Sequence, residues 1–298
     1  MVADRRSSSR PSYAPCPTKR SRRTKAEMDR IRGAIYDALC NDNPMTVRQV
    51  FYRMVSEGVI DKTEGEYKST IVRLLGQMRR RKVIPYGWIS DSTRWMRKPR
   101  SFDSLEDALQ HTARTYRRSL WACQPHYVEV WLEKNALAGV LYEETSMWDV
   151  PLMVVVGYSS ITYLYEAAEN IAECGKPAFL YYFGDNDPSG VDIDRFVQRE
   201  LRSHAPDAEI HFERVAVTPE QIKRWDLPTR PTKSTDSRSK KFRGESVEVD
   251  AIPSDRLREL VRDCIQRHVS EADLESVKRV EELERQTLAK VAANWGVA

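Results

Sequence analysis

Two aspartates separated by one residue have the types and the spacing that divalent-cation chemistry needs. Asp185 and Asp187 lie in a turn rich in Gly, Asp, Asn and Pro, between a short apolar run at 178–183 and a helix expected from about Val191. Because both follow a strand end, their carboxylates can face one small volume, where hard oxygen ligands suit Mg²⁺. The same residue types are also typical of a polar turn that caps a helix, so this motif by itself leaves both interpretations open.

A third carboxylate is expected at the same edge of the predicted sheet. Residues 128–132 form a predicted strand, and Glu133 begins the helix that follows it. The carboxyl ends of strands in an open parallel sheet line one crevice, so Glu133 can meet Asp185 and Asp187 there. Acids this close repel one another, and a bound divalent cation, Mg²⁺ or Mn²⁺, is the simplest compensation.

This order of motifs resembles a known family. A strand ending in Glu, followed by a strand ending in Asp-x-Asp, is similar to the Toprim domain of topoisomerases, primases and some nucleases. The string Gly-Asp-Asn-Asp-Pro-Ser-Gly-Val-Asp-Ile at 184–193 resembles more narrowly the A subunit of topoisomerase VI and the related meiotic double-strand-break transesterase. That family has a winged-helix domain whose cleavage motif is an Arg, three residues and a Tyr preceded by Tyr or Phe. Residues 48–52, Arg-Gln-Val-Phe-Tyr, match it.

The resemblance implies DNA strand cleavage by transesterification. Tyr52 would attack a phosphodiester and leave a tyrosyl 5′-phosphate and a free 3′-hydroxyl. A phenol with a reference pKa of about 10 is a weak nucleophile at neutral pH, so Arg48 would favour the phenolate and offset phosphate charge. Glu133, Asp185 and Asp187 would hold Mg²⁺ or Mn²⁺. The family also implies a homodimer, in which the tyrosine of one subunit works with the acids of the other.

Two other functions fit the same residues. A Toprim-type nuclease would use water activated by the metal, and Tyr52 would take no part in cleavage. A winged-helix protein that binds double-stranded DNA without cutting it would use the acids only to hold a structural ion. The chain has no glycine-rich nucleotide loop, so strand passage would need a B-type ATPase partner in trans.

Helical periodicity predicts three helices, at 26–39, from about 46, and at 65–82, followed by a hairpin-like wing at 83–89. On the second helix Phe51 falls on the apolar stripe, whereas Arg48 and Tyr52 flank it, so we predict that Tyr52 is accessible. Basic residues on and after the third helix are expected to face DNA phosphates: Lys68, Arg73, Arg79, Arg80, Arg81, Arg94, Arg97, Lys98 and Arg100.

The predicted fold class is α/β, because strands and helices alternate from Val128 to Val217 in the manner of a parallel sheet with crossover helices. The predicted organisation is a disordered basic tail (1–25), a winged-helix domain (26–100), a linker helix (101–125), a Toprim domain (126–217) and a loop with a helical C-terminal extension (218–298).

Composition limits the class of protein. The chain has 298 residues, of which 41% are hydrophobic, and a formal net charge of +4. This content is sufficient for globular cores. Its five cysteines form no CxxC pair, which argues against a zinc site. Apolar runs are too short for a membrane span, so we expect a cytoplasmic, DNA-associated protein.

Overall fold

The computed structural model describes residues 23–90, 100–155, 161–229 and 245–295. Its N-terminal part contains the three predicted helical segments: α1 (Lys25–Asn41), α2 (Val47–Ser56), and a third segment that runs from α3 (Glu64–Glu66) through a π-helical stretch (Tyr67–Val72) into α4 (Arg73–Arg80). Thr24 and Thr46 begin α1 and α2 with capping boxes, which satisfy backbone N–H groups that have no partner inside the helix. The predicted tail lies almost entirely outside the described residues.

The hairpin-like wing predicted at 83–89 is wrong. A single 3₁₀ turn (Tyr86–Trp88) leads instead into β2 (Ile89–Ser90), which pairs in parallel with β1 (Met45–Thr46). Pro85 lacks the N–H that a hairpin ladder needs, and its carbonyl accepts the Trp88 N–H at 3.2 Å to close the turn. Residues 91–99, and with them Arg94, Arg97 and Lys98, lie outside the described residues.

A four-stranded parallel sheet follows, in the order β4-β3-β5-β6. Its strands are β3 (Tyr127–Leu132), β4 (Leu152–Val154), β5 (Ala178–Phe183) and β6 (Ile210–Ala216). The two central strands are almost continuously apolar, as strands covered on both faces require. Leu132 pairs with Phe183, so Glu133 and the turn that begins at Gly184 leave the sheet at one edge. The α/β class and the parallel sheet are therefore confirmed.

Helices cover the sheet and extend the chain. Helix α5 (Leu105–Thr115) precedes the sheet and begins at Ser104, whose hydroxyl accepts the Asp107 N–H. The others are α6 (Ala138–Met147), α7 (Ile161–Cys174), α8 (Pro188–His204), α9 (Pro219–Arg224), α10 (Ser254–Gln266) and α11 (Glu271–Asn294). Within the ranges given above, no helix combines the length and the apolar composition that crossing a bilayer requires.

The N-terminal helices share one apolar core with the C-terminal part of the chain. The largest cluster of buried side chains extends from Ile31 in α1, through Val130 in β3, to Leu274 in α11. Residues Val249–Ala251 form a 3₁₀ turn that packs against α2. This shared core fixes α2, and therefore Arg48, relative to the edge of the sheet where Glu133 and Asp185 lie.

Candidate functional site

A cavity of about 590 Å³ lies at this edge of the sheet, and we call it the acidic cavity. Helix α2 and the π-helical stretch form one wall, and the residues that follow β3 and β5 form the other, together with residues 248–250. Its charged and aromatic lining residues are Arg48, Tyr67, Arg79, Glu133, Lys134, Asp185, Glu248 and Asp250. The structure therefore brings Glu133 and Asp185 together, as the sequence predicted, and it also places Arg48 in the wall of the same cavity.

Lys134 links three of the acids. Its Nζ lies 3.1 Å from Asp185 Oδ1, 3.3 Å from Glu248 Oε2 and 2.7 Å from Asp250 Oδ2. Burial would lower the pKa of Lys134, but these carboxylates together hold its pKa well above the usual value. Arg48 adds a second cation at 3.0 Å from Glu248 Oε2. The carboxylates are thus compensated by side chains of the same chain.

Glu133 is an acid whose ionisation the site disfavours. Burial, followed by the charge of Asp185, raises the pKa of Glu133 to about 7, although the Asp185 N–H donates to its Oε2 at 2.9 Å. The Glu133 side chain packs closely against Gly184, because a Cβ added to Gly184 would lie 2.5 Å from Glu133 Oε2. Burial also raises the pKa of Asp185, and Lys134 opposes that shift. Crowding of buried carboxylates is the electrostatic condition that a divalent cation relieves.

Asp187 is the N-cap of α8. Its Oδ1 accepts the N–H groups of Ser189 at 3.0 Å and Gly190 at 2.8 Å. It is not part of the cavity wall, although its charge contributes to the raised pKa of Glu133. The two interpretations of the turn therefore divide between its aspartates: Asp185 faces the cavity and Asp187 caps a helix.

Glu248 and Asp250 are site residues that the sequence analysis missed. The strand-like bridge between Asn186 and Val247 ties their segment to the aspartate turn, and the Val249 N–H donates to Asp185 Oδ1 at 2.9 Å. The alternation of valines and acids at 247–250 was the available signal, since period-two alternation turns both acids to one side. Lys134, which follows Glu133 directly, was missed as well.

Tyr52 is buried, which contradicts the prediction that it is accessible. Its side chain is 5% exposed, as is that of Phe51, and it lines a second cavity rather than the acidic one. Segments distant in sequence, at 225–228 and 250–254, form the rest of that wall and cover this flank of α2. The tyrosine that lines the acidic cavity is Tyr67, whose ring centre lies 4.8 Å from the Arg48 guanidinium carbon.

Most of the predicted DNA-contacting residues that the structure describes are exposed. Lys68, Arg73, Arg80, Arg81 and Arg100 are exposed, while Arg79 is half-buried and lines the acidic cavity. Several of them already have partners: Lys68 lies 3.2 Å from Glu64, Arg73 Nε donates to the Ser69 carbonyl at 2.8 Å, and Arg100 contacts His111. Arg48 and Arg79 thus place positive charge in the wall of the acidic cavity, and the exposed residues Arg73 and Arg80 lie on the same helix as Arg79, with Arg81 at its C-cap.

Hard carboxylate oxygens are the ligands that Mg²⁺ and Mn²⁺ prefer, and Glu133 and Asp185 could provide them. The contacts described above use Oε2 of Glu133 and Oδ1 of Asp185. Among the described residues, however, no group of three or more His, Cys, Asp or Glu side chains is arranged around one ion position. The residues present therefore fit a cation held by this carboxylate pair, with the remaining ligands taken from solvent or substrate.

The chain matches no protein-family model, no curated protein and no solved structure. What this site can do is inferred from its own residues.

Proposed function

We propose that this protein is a metal-dependent DNA-cleaving enzyme of the type that its resemblance to the topoisomerase VI A subunit implies. The observation that supports it most is the convergence of Glu133, Asp185 and Arg48 in one cavity at the carboxyl edge of a parallel sheet. Such an edge is the usual ligand crevice of this architecture. The arginines beside the cavity supply the positive charge that a phosphate backbone requires.

Each residue of the cavity has a role that its chemistry supports. Glu133 and Asp185 would hold Mg²⁺ or Mn²⁺, which, when bound, neutralises charge on the phosphate and activates it as a Lewis acid. Arg48 and Arg79 would bind phosphate oxygens. Lys134 would orient Asp185 by its contact at 3.1 Å and keep the neighbouring acids Glu248 and Asp250 from repelling the DNA.

The family motif makes Tyr52 the candidate attacking group, and water is the alternative. Tyr52 has the position in the motif that the family uses, and its burial in the second cavity means that attack would require this flank of α2 to open. In the homodimer that the resemblance implies, Tyr52 would act at the acidic cavity of the other subunit. A separation between Tyr52 and the acidic cavity within one chain is therefore compatible with transesterification. The burial of Tyr52 is the specific observation that favours the alternative, a nuclease that uses water.

Cleavage of supercoiled plasmid in Mg²⁺ or Mn²⁺ tests the proposal. We expect wild-type protein to cut, and Asp185→Asn to lose cleavage while still binding DNA. If Tyr52 attacks, Tyr52→Phe will not cut, and wild-type reactions stopped with denaturant will carry protein on DNA 5′ ends. Tyr67→Phe is the matched control, since it removes a tyrosine hydroxyl from the acidic cavity itself.

Each outcome decides between the functions. Cleavage by Tyr52→Phe without an adduct identifies water as the nucleophile. An adduct that is lost in Tyr67→Phe but not in Tyr52→Phe assigns the attack to Tyr67. A wild-type protein that binds DNA but never cuts it with either metal would contradict the proposal and support the non-catalytic alternative.

A further inference from the structure

The second cavity has a volume of about 410 Å³, which is in the size range of small-molecule sites. It lies between α2 and two later segments, at 224–228 and 250–256. Asp250 belongs to the walls of both cavities, so the two are neighbours. Phosphodiester cleavage as described above makes no use of most of its lining, which therefore needs its own explanation.

Two buried polar groups in this wall have no hydrogen-bond partner among the described residues: the amide nitrogen Nε2 of Gln49 and the hydroxyl of Ser254. Their side chains are 3% and 0% exposed. The Gln49 amide is oriented, because its Oε1 accepts the Thr46 N–H at 2.9 Å in the capping box of α2. Leaving such groups unsatisfied costs about 1–3 kcal/mol each, so they indicate a ligand with hydrogen-bonding atoms at matching positions.

The rest of the wall is suited to a flat ring. Trp225 and Tyr52 contribute aromatic side chains, and Leu227 and Ile252 contribute aliphatic ones. The Arg256 guanidinium carbon lies 5.1 Å from the centre of the Trp225 ring. Aromatic and guanidinium planes of this kind stack on heterocyclic bases whatever the identity of the base.

Charge at the cavity favours an anion. Three arginines line it, at positions 53, 224 and 256, and none of them is buried; Arg53 is also paired with Glu57 at 2.6 Å, so Arg224 and Arg256 contribute most of the positive charge. Of the two acids in the wall, Asp226 is exposed, and buried Asp250 lies 2.7 Å from the Lys134 ammonium group. The first turn of α10, at Ser254, adds the partial positive charge of a helix N-terminus.

We propose that the second cavity binds a nucleotide. The base would occupy the cavity, hydrogen-bonded to Gln49 and Ser254, and the phosphate would lie among the three arginines. A free deoxynucleoside monophosphate and a nucleotide turned out of a DNA strand present the same chemistry. This site does not depend on the cleavage proposed above, and it can exist in a protein that never cuts DNA.

Titration calorimetry with dAMP, dGMP, dCMP and TMP, each added separately, tests the site. At least one should bind wild-type protein, and Ser254→Ala should weaken its binding about 3- to 10-fold, the effect of losing one hydrogen bond. Thr145→Val is the matched control, because Thr145 also has a buried hydroxyl without a partner among the described residues and lies outside this wall. Both variants remove an unsatisfied group and should fold; binding by Thr145→Val should equal wild type.

A second pair of variants tests the phosphate contact. Arg256→Gln should weaken monophosphate binding about tenfold and weaken binding of the matching deoxynucleoside by clearly less, because only the monophosphate loses a contact between opposite charges. Arg199→Gln is its control, since Arg199 makes the same kind of ring contact, 5.2 Å from the centre of Phe196, on a different surface. Inorganic phosphate by itself should bind far more weakly than the monophosphate, because it leaves Gln49 and Ser254 unsatisfied.

Binding of a duplex with one unpaired nucleotide, compared with binding of a fully paired duplex, distinguishes a nucleotide within DNA from a free nucleotide as the ligand. Preference for the unpaired nucleotide that is lost in Ser254→Ala, without binding of free monophosphates, assigns the site to DNA. Binding of monophosphates assigns it to free nucleotides. The proposal is overturned if neither monophosphate nor unpaired nucleotide is recognised, or if Ser254→Ala recognises them as wild type does.

Discussion

Lys134 compensates the negative charge of the acids around the acidic cavity. Its ammonium group lies within 3.3 Å of Asp185, Glu248 and Asp250, and the last two are almost completely buried. Removing one member of a buried ionic group leaves the remaining charges uncompensated. This lowers stability more than replacing the whole group by apolar side chains does. A divalent cation at Glu133 and Asp185 would share Asp185 with Lys134, so the lysine would limit how tightly this pair binds metal.

Gly190 allows the aspartate turn to pack against α8. A Cβ at this position would lie 2.2 Å from the Asp185 carbonyl oxygen, a backbone atom that cannot move independently. We predict that Gly190→Ala lowers the free energy of unfolding by about 1–3 kcal/mol, measured by denaturant titration. Gly33→Ala is the control: it is exposed inside α1 with open space around it, and it should raise stability by about 0.5–1 kcal/mol. Equal stability of the two variants would contradict the tight turn.

His268 should make stability depend on pH. Burial, together with the nearby charges of His126, Arg267 and His211, lowers the pKa of His268 from its usual value to about 4. Between pH 6.5 and pH 4 the unfolded chain therefore binds a proton that the folded chain does not, and stability falls as pH falls through this window. Above pH 6.5 the effect is absent. In His268→Gln the pH dependence over this window should be smaller; curves that run parallel to wild type would contradict the prediction.

At the scale of elements, the helical segment around Tyr67 shows how local geometry supplies a site residue. Residues Tyr67–Val72 form a π-helical stretch between α3 and α4. Such stretches add a residue to a helical turn and are frequent at functional sites. Tyr67 lies at its start, in the wall of the acidic cavity and over Arg48.

The start of α2 is tied to the acidic cavity through its cap. The Thr46 hydroxyl accepts the Gln49 N–H at 3.0 Å and donates to Asp250 Oδ1 at 3.2 Å. We predict that Thr46→Ala lowers the free energy of unfolding by about 2 kcal/mol, because it loses a cap and a bond to a charged group. Thr218→Ala removes the same kind of capping box from α9, where the Thr218 side chain is less buried. It should lower the free energy of unfolding by about 1 kcal/mol. Thermal or denaturant unfolding measures both; a larger loss in Thr218→Ala would contradict the link to Asp250.

At the scale of the whole molecule, basic side chains and the acidic cavity lie on neighbouring surfaces of one structural unit. The N-terminal helices share their apolar core with the sheet and with α10, so the arginines of α4 hold a fixed position relative to Glu133. Under the proposed function, this arrangement would direct a phosphate backbone toward the cavity.

DNA binding should weaken steeply as salt concentration rises. Each phosphate contact contributes about 0.9 to the slope of log affinity against log salt, so the double variant Arg80→Gln, Arg81→Gln should reduce that slope by up to about 2. Arg199→Gln serves as the control, since Arg199 is exposed on α8 and its carboxylate partner is the adjacent Glu200. Fluorescence anisotropy over a salt series measures the slopes. Affinity independent of salt in wild type would contradict a phosphate-binding surface.

The sequence by itself determined most helices and strands of this protein, and it predicted that two of the three acids, Glu133 and Asp185, lie at one site. Short apolar runs and helical patterns predicted the parallel strands and their crossover helices, because local preference and burial agree along 127–216. The turn chemistry at 184–190 and the position of Glu133 after a strand were sufficient to predict that Glu133 and Asp185 meet, since parallel strands end at a common edge.

Tertiary structure decided the rest. Lys134, Glu248 and Asp250 meet only because the bridge between Asn186 and Val247 joins segments that are distant in the chain. Helical periodicity placed Tyr52 beside the apolar stripe, but whether that flank is open depends on segments at 225–228 and 250–254, which cover it. The residues before β2 formed a turn rather than a hairpin because β1 offered a parallel partner. Patterns along a chain report one element at a time, whereas burial and charge pairing depend on which elements pack together.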